Sequence, residues 1–369
     1  MSKSISWENS GQCPPYFKTT GEAPVPRLLS IPMCLLRRVF AVVILLLLLI
    51  GGCASGKVQK ANETMADKNV RPTAGLERFE YVQIHMGTRA RLVVWAKDEE
   101  TAVEACTAAY RRVAELEQIC TDYRKSSELM QLCAKAGGPP VKVSDELYFV
   151  ISKSVEKSIK TEGAFDITVG PYVLLWREAR KSGKMPKAEE IEKARGLVGF
   201  EKIILDAGNQ TVRLTVPGMK LDLGAIAKGY AGDCALAVLR SFGINSALFE
   251  AGGNIVVSDA PPGAAGWVIE VANDRPGSKS QTIVVNNAAV STSGDTEQHV
   301  EIEGKRYSHI VDPRTGIGLT NRNYVTVVAK DGVTSDGLST AACVMGAEKF
   351  ARVLERYPGT RAYFAPAME

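Results

Sequence analysis

The chain has 369 residues, of which 45% are hydrophobic and 23% are charged, and its formal net charge is +4. This is the composition of an ordinary globular protein, long enough for one large domain or two small ones. The weak positive charge lacks the electrostatic footprint of a nucleic-acid-binding protein, so no nucleic-acid partner is expected.

Residues 1–52 are predicted to be a leader rather than part of the fold. Arg37 and Arg38 precede an almost unbroken apolar run over residues 39–50. That run is shorter than the roughly 20 residues of a membrane-spanning helix and fits the core of a signal peptide. It ends in two glycines and Cys53, which resembles a bacterial lipobox. The resemblance implies that Cys53 becomes the lipidated first residue of an exported, membrane-anchored lipoprotein facing the periplasm or the cell exterior.

An unprocessed membrane anchor with an incidental cysteine is the alternative for this leader. Residues 1–32 are long for the basic segment of a signal peptide, so Met33 is the expected true start. Residues 53–75 are polar and lack hydrophobic periodicity, which indicates a flexible tether. The folded domain is therefore expected over residues 76–369.

Five cysteines lie beyond the lipobox, and no two of them form a C-x-x-C pair. A zinc or redox motif of that type is therefore not expected. Cys106, Cys234 and Cys343 occupy apolar positions and are predicted to be small core residues. Cys120 and Cys133 are left as a candidate disulfide.

Helices dominate the first half of the domain. The first is predicted from apolar residues that recur at intervals of three and four, and Ser144 is a suitable N-cap for the second. In chain order, the predicted elements are strands at 79–85 and 90–96 and helices at 101–120, after Ser144, at 171–176 and at 187–195, with turns at 121–124 and 163–166.

Strands dominate the second half. The predicted elements are a hairpin of 203–205 and 212–216, a strand end at 221–223, a helix over 225–242, strands at 247–249, 255–257, 267–271, 283–285, 288–291, 300–302, 306–310 and 324–329, and helices at 337–345 and 348–357 separated by Gly346. With helices early and strands late, the pattern predicts an α+β fold of mixed sheets with flanking helices.

The stretch at 221–233 has the character of an anion-binding turn. Gly224 and Gly229 permit close backbone approach to a ligand, and the start of the following helix offers N–H groups. Lys228 adds a cation and Asp222 an acceptor. Taken alone, the stretch is equally well explained as a packed strand–turn–helix unit with a surface lysine.

Four later segments also carry ligand-type residues, at 252–254, 292–295, 308–316 and 334–340. Three of them have a structural alternative, which is a tight turn for 252–254, a structural histidine for 308–316 and ordinary helix capping for 334–340. In the last segment, Asp336 and Thr340 stand one helical turn apart, so a carboxylate and a hydroxyl share one face. These hard oxygen ligands suit Mg²⁺.

Taken together and in this order, the segments resemble the ApbE family of flavin transferases. The matching segments are 86–88, 123–124 with 127–129, 165–171, 222–230, 252–254, 292–295, 309–316 and the pair Asp336 and Thr340. They cover nearly the whole predicted domain, and a lipoprotein leader is common in that family. One departure is Arg89, where a second threonine or a small residue is expected, and it bears on acceptor or flavin contacts.

The resemblance implies a T-fold-related domain and a Mg²⁺-dependent FAD:protein FMN transferase. Such an enzyme takes FAD, moves FMN onto a Thr or Ser hydroxyl of an acceptor protein and releases AMP. The acceptors implied are flavin-carrying subunits of membrane redox complexes of the NADH:quinone reductase or Rnf type.

The resemblance also implies roles for individual residues. The Mg²⁺ ligands would be the carbonyl of Ala225, Asp336 and Thr340, with a backbone oxygen of Ser339. Lys228 would bind the diphosphate and Tyr123 would stack on a flavin or adenine ring. The residues lining the FAD site would be Met86, Ala164, Phe165, Asp166, Asp222 and Ile310. His309 is the candidate base for the acceptor hydroxyl, because its unperturbed pKa lies near neutrality.

Two other functions remain open at this point. A Mg²⁺-dependent FAD pyrophosphatase, which hydrolyses FAD to FMN and AMP, would use the same metal site. A non-catalytic flavin-binding lipoprotein would need no metal, so the Asp336–Thr340 pair disfavours it.

Overall fold

The computed structural model describes residues 75–271, 281–294, 298–322 and 324–365. The predicted leader with Met33 and Cys53, and the tether up to residue 74, lie outside these residues, as does Asp295. Within the described ranges, no helix has both the length and the apolar character needed to cross a membrane.

The described residues form fourteen strands and seven α-helices, with short 3₁₀ helices at Ile167–Val169 and Phe200–Lys202. The strands are β1 Glu77–His85, β2 Thr88–Ala96, β3 Val141–Lys142, β4 Ile203–Asp206, β5 Thr211–Leu214, β6 Ala247–Ala251, β7 Asn254–Val257, β8 Trp267–Val271, β9 Gln281–Val285, β10 Ala288–Ser293, β11 His299–Ile302, β12 Lys305–Ser308, β13 Tyr324–Ala329 and β14 Arg361–Ala365. The helices are α1 Glu99–Cys120, α2 Glu128–Ala134, α3 Asp145–Lys160, α4 Gly170–Ser182, α5 Ala188–Arg195, α6 Ala227–Ser241 and α7 Gly332–Leu354.

A seven-stranded antiparallel sheet, in the order β1-β2-β6-β7-β10-β13-β14, forms the centre of the fold. Helices α1, α6 and α7 pack on one face and enclose the main apolar core. On the other face, Trp267 and Ile269 of the β8–β9 hairpin pack with Val93 and Leu248 of the sheet. Small sheets β3-β5-β4 and β11-β12 complete the architecture, so the α+β prediction is confirmed.

Helices α6 and α7 cross with their backbones in contact. A Cβ atom on Gly229 would lie 2.0 Å from the carbonyl oxygen of Gly332, and one on Gly332 would lie 2.2 Å from that of Gly229. The Asp233 carboxylate of α6 also accepts the N–H groups of Gly332 (2.7 Å) and Val333 (3.0 Å). Only glycine fits at either crossing position, and the start of α7 is fixed directly to α6.

Several sequence-based boundaries need correction. Residues 221–223 are not the end of a strand: the N–H of Asp222 donates to the Ile167 carbonyl (2.8 Å), and no ladder forms. Helix α4 runs past the predicted residue 176 to Ser182, where Gly183 ends it in the left-handed conformation (φ 67°). Helix α7 begins at Gly332 instead of residue 337, because the Asp331 side chain caps it. Gly346 interrupts α7 as predicted, with φ 74°.

The candidate disulfide between Cys120 and Cys133 is wrong, since both residues carry buried free thiols. Cys120 ends α1 and Cys133 lies within α2, a helix that the sequence did not predict. The Cys133 sulfur instead accepts the N–H of Leu221 at 3.3 Å. The two cysteines are therefore core side chains, like Cys106.

Candidate functional site

Three turns meet beside Lys228. The position that a Cβ on Gly252 would occupy lies 3.3 Å from Cγ2 of Thr88 and 3.6 Å from Cδ of Lys228. Gly252 and Gly253 have φ values of 50° and 80°, which favour glycine and keep this turn free of side chains. The turn that begins at Met86, the double-glycine turn and the start of α6 therefore lie together.

The start of α6 differs from a free anion-binding helix end. The N–H groups of Ile226 and Ala227 both donate to the Leu223 carbonyl, and that of Gly224 donates to the Asp222 carboxylate at 2.8 Å. The expected row of free N–H donors is thus largely used within the protein. The Lys228 ammonium, which donates to the Gly224 carbonyl at 2.6 Å, is the cationic group of this stretch.

Asp336 joins this stretch to α7. Its side chain is buried, with 3% exposure, and one carboxylate oxygen accepts the N–H of Gly229 at 2.9 Å. Gly229 therefore does not close a helical turn onto the carbonyl of Ala225, four residues earlier, and that carbonyl lacks its usual helical donor. Burial raises the pKa of Asp336, while the Lys228 charge and the Gly229 N–H favour its ionised form.

Hydroxyl groups extend the site along α7. Thr340 follows Asp336 by one turn, and its oxygen lies 3.3 Å from Oγ of Ser293 at the end of β10. The Ser293 hydroxyl also lies 2.8 Å from that of Ser339, which donates to the backbone carbonyl of Asp336 at 2.9 Å. The Ser339 side chain is thus engaged within the protein, and its carbonyl faces along the helix.

Asn254 also faces this site, although the sequence analysis gave its side chain no role. Asn254 is 3% exposed, and its Oδ1 has no hydrogen-bond partner. A hydrogen bond from its side chain to the Asp336 carboxylate lowers the pKa of Asp336. The sequence signal for such a role is that Asn254, at the first position of a strand, directly follows the two glycines of the turn. The sequence analysis placed residues 252–254 among the ligand-type segments but assigned no role to Asn254 itself.

The oxygen atoms at this position fit a hard divalent cation. Among the described residues, no cluster of three or more His, Cys, Asp or Glu side chains is placed to hold a metal. A site here depends on the single carboxylate of Asp336, the Thr340 hydroxyl, the Ala225 carbonyl and the unpartnered Asn254 oxygen. Oxygen-only ligands with few carboxylates are typical of Mg²⁺, which usually keeps several waters.

Arg177 of α4, which the sequence analysis did not predict as a site residue, contacts Tyr123 and two carboxylates. Its guanidinium bonds to Asp122 (2.5 Å) and Asp222 (3.3 Å) and lies 4.2 Å from the centre of the Tyr123 ring. Tyr123 is 78% exposed, so its other face is open for stacking. Burial and the nearby Asp122 raise the pKa of Asp222, while Arg177 and Lys228 oppose that shift.

Replacing Arg177 with alanine should weaken binding of the FAD that the sequence resemblance implies by about 10-fold, equivalent to ~1.4 kcal/mol. The change leaves Asp122 and Asp222 facing each other without their shared cation and removes the support of the Tyr123 ring. Quenching of flavin fluorescence measures the affinity. Arg180→Ala on the same helix is the control, since within the described part of the chain Arg180 bonds to the exposed Gln298 at 3.0 Å. Equal affinities in the two variants would contradict this role.

The predicted lining residues 164–166 lie beneath the site. Ala164 and Phe165 are buried, and Phe165 lies against Gly337, next to Asp336. The Asp166 carboxylate accepts the N–H and the hydroxyl of Thr168 (2.8 and 2.7 Å) and the N–H of Phe200 (2.9 Å). Burial raises the pKa of Asp166, whereas these hydrogen bonds act to lower it. Its side chain therefore stabilises the wall of the site within the protein.

The remaining predicted residues occupy two loops. Met86 has a left-handed backbone (φ 50°), and its N–H donates to Glu117 at 2.8 Å. His309 is exposed, and its Nδ1 lies 3.0 Å from the Gln298 carbonyl, whereas Ile310 is buried. The loop that follows is attached to α4, because the Trp176 indole donates to the Gly316 carbonyl at 2.9 Å. Helix α4 thus carries both Arg177 and the support for the His309 loop.

Comparisons with known proteins agree with this geometry. The model of the ApbE family matches residues 86–364. An FAD:protein FMN transferase of Klebsiella pneumoniae (strain 342) is 32% identical over 291 residues, covering 78% of this chain and 88% of that protein. An FAD:protein FMN transferase of Treponema pallidum (strain Nichols) is 30% identical over 308 residues, covering 79% of this chain and 85% of that protein.

Solved structures give the same result. The flavin transferase ApbE of Vibrio cholerae superimposes with a TM-score of 0.71 at 32% identity, covering 78% of this chain and 93% of that one. The apo form of the Pseudomonas stutzeri flavinyl transferase ApbE also superimposes with a TM-score of 0.71. It is 27% identical, and the match covers 80% of this chain and 92% of that one. The resemblance noted in the sequence is confirmed, and the protein is a transferase enzyme. The chain belongs to the ApbE family.

Proposed function

We propose that this chain is a Mg²⁺-dependent FAD:protein FMN transferase that acts on a Thr or Ser hydroxyl of an acceptor protein and releases AMP. The observation that carries the proposal is the bond between Asp336 and the Gly229 N–H. It brings a buried carboxylate next to Lys228 and next to a backbone carbonyl without its helical donor. The named activity of the Klebsiella pneumoniae relative, most of whose length this chain matches, supports it.

Asp336, Thr340 and the carbonyl of Ala225 would hold Mg²⁺. A bound Mg²⁺ supplies positive charge where negative charge develops on the diphosphate oxygens. A backbone oxygen of Ser339 would add to this set, while its hydroxyl donates to the Asp336 carbonyl. Burial of Asp336 suits this purpose, since it limits competition from bulk water for the carboxylate.

Lys228 would bind the central diphosphate of FAD, and Tyr123 would bind one of its ring systems. The Lys228 ammonium lies within reach of the Gly224 carbonyl and can move to a diphosphate oxygen as a charged donor. The open face of Tyr123 can stack on a flavin or adenine ring. The residues we propose to line the rest of the FAD site are Met86, Ala164, Phe165, Asp166, Asp222 and Ile310.

In the proposed reaction, the acceptor hydroxyl oxygen attacks the phosphorus of the FMN half of FAD. The new P–O bond forms as the diphosphate bond breaks, and AMP leaves with the bonding electron pair. The hydroxyl proton passes to His309, whose exposure leaves it accessible to a protein acceptor. The chain's other contribution is to position both reactants, which accounts for much of phosphoryl-transfer catalysis.

Replacing His309 with alanine should lower the transfer rate by about 10²-fold or more while FAD binding persists, because a general base contributes about that much. Labelled acceptor formed per unit time is the measurement. His299→Ala on β11 is the matched control, since that ring pairs with Arg306 at 3.0 Å. A full transfer rate in the His309 variant would remove His309 from the mechanism.

One assay separates transfer from the two alternatives. The mature domain is incubated with FAD, Mg²⁺ and an acceptor protein that carries a family-type Thr motif. A fluorescent flavin band that survives a denaturing gel supports transfer. AMP without labelled acceptor supports the FAD pyrophosphatase, and the absence of both products supports a non-catalytic flavin-binding lipoprotein. Either of the last two results would overturn the proposal.

We also propose an exported, lipid-anchored location facing the periplasm or the cell exterior, with Cys53 as the anchor. The acceptor would then be a flavin-carrying subunit of a membrane redox complex of the NADH:quinone reductase or Rnf type. The lipobox-like sequence around Cys53 supports the anchor. Replacing Cys53 with alanine should move the protein out of the membrane fraction on cell fractionation. A variant that stays entirely in the membrane would contradict the anchor.

A further inference from the structure

A line of hydroxyl groups lies between strand β10 and helix α7. Alternate residues of β10 point toward the helix, so Ser291 meets Ser335 at 2.7 Å and Ser293 meets Ser339 at 2.8 Å. In the described ranges, only the second pair has a further hydroxyl within hydrogen-bond distance, that of Thr340 at 3.3 Å from Ser293. The Ser293 hydroxyl is therefore shared between Ser339 and the candidate cation ligand.

The direction of these hydrogen bonds follows from the number of protons. A hydroxyl group has one proton to donate, and a carbonyl oxygen can only accept. The Ser339 hydroxyl gives its proton to the Asp336 carbonyl (2.9 Å), so the bond between Ser293 and Ser339 must use the Ser293 proton. The Ser293 oxygen can then accept the proton of Thr340.

This order also explains why Thr340 does not bond to its own helix. A helical threonine commonly donates to the carbonyl four residues earlier, which for Thr340 is that of Asp336. Ser339 occupies that carbonyl. Ser293 then becomes the partner that fixes the Thr340 hydroxyl.

We propose that Ser293 is a positioning residue for the cation site, acting through Thr340. By accepting the Thr340 proton, it leaves the lone pairs of the Thr340 oxygen directed to the cation, which binds oxygen through those lone pairs. The chain Thr340→Ser293→Ser339→Asp336 carbonyl also ties the hydroxyl ligand to the residue that carries the carboxylate ligand. This inference rests on the proposed Mg²⁺ site.

The test compares Ser293→Ala with Ser291→Ala. Both changes remove one hydroxyl from β10 that contacts α7. Among the residues that the structure describes, the Ser291 hydroxyl meets that of Ser335, which donates to the Gly332 carbonyl at 3.3 Å. Mg²⁺ affinity is measured by calorimetry on the intact protein without FAD, and separately from the Mg²⁺ dependence of AMP release. Melting temperatures of both variants report any general loss of packing.

Ser293→Ala should weaken Mg²⁺ binding by about 10-fold, as loss of a ligand's hydrogen-bond partner commonly does, with kcat at saturating Mg²⁺ nearly unchanged. Ser291→Ala should leave the affinity within about 2-fold, and Ser293→Thr, which keeps the hydroxyl, should restore it. Equal affinity in Ser293→Ala and the wild type, or equal weakening in both alanine variants, would overturn the inference alone. A wild type that binds no Mg²⁺ would overturn the proposed metal site and the inference together.

Discussion

Replacing Asp336 with asparagine should reduce Mg²⁺-dependent turnover by about 10³-fold, equivalent to ~4 kcal/mol of transition-state stabilisation, and leave most of the FAD binding intact. Asparagine keeps an oxygen that can accept the Gly229 N–H, but it removes the negative charge that a divalent cation requires. Because burial raises the pKa of Asp336, the neutral side chain should also be tolerated in the fold. AMP release over a Mg²⁺ titration measures the effect.

The matched control for this change is Asp331→Asn. Asp331 stands on the same helix and caps its first turn through Thr334 (2.8 Å), a role that asparagine can fill. Its turnover should stay close to that of the wild type. Mg²⁺-dependent turnover retained in the Asp336 variant would remove Asp336 from the metal site, while equal losses in both variants would indicate a general disturbance of α7.

Replacing Gly229 with alanine should lower the free energy of unfolding by about 3 kcal/mol or more. The new Cβ would lie 2.0 Å from the Gly332 carbonyl oxygen, 2.4 Å from its carbon and 2.8 Å from Cβ of Asp336. Two of these are backbone atoms, so no side-chain rotation relieves the overlap and the helices must separate. Urea denaturation of the purified domain measures the loss.

Gly196→Ala is the control for the glycine change. Its Cβ would meet the Lys193 carbonyl at 3.6 Å, an ordinary contact, and its φ of −60° suits any residue. The control should stay within about 0.5 kcal/mol of the wild type. If the Gly229 variant were as stable as this control, the close crossing of α6 and α7 would be wrong.

Local patterns in the sequence were enough to predict the elements whose stability is mainly local. Helix α1 follows from apolar residues at three and four spacing, and α3 from the Ser144 cap. The break at Gly346 is predictable because glycine commonly ends a helix, and in the structure Gly346 has the left-handed φ of 74° that this requires. Helical spacing placed Asp336 and Thr340 on one face, and the family resemblance then predicted a metal-binding role for both, although neither residue is distinctive by itself.

The remaining features depend on partners far away in the chain. The apolar pair Leu221 and Leu223 resembles a strand, but these side chains are buried without a neighbouring strand to pair with. Arg177 gains its role from carboxylates 55 and 45 residues away, a relation that no spacing rule reveals. Cys133 lies close to Cys120 in sequence, yet its sulfur meets the backbone of Leu221.

The backbone contact between Gly229 and Gly332 has a thermodynamic consequence. It leaves α6 and α7 no room to slide independently, so Lys228 and Asp336, which we propose bind the diphosphate and the cation, keep a fixed position relative to each other. A cation held by Asp336 would attract a negative diphosphate held at this fixed separation by Lys228, and such coupling is reciprocal by necessity. We expect Mg²⁺ to tighten the binding of a diphosphate nucleotide by the same factor by which the nucleotide tightens Mg²⁺.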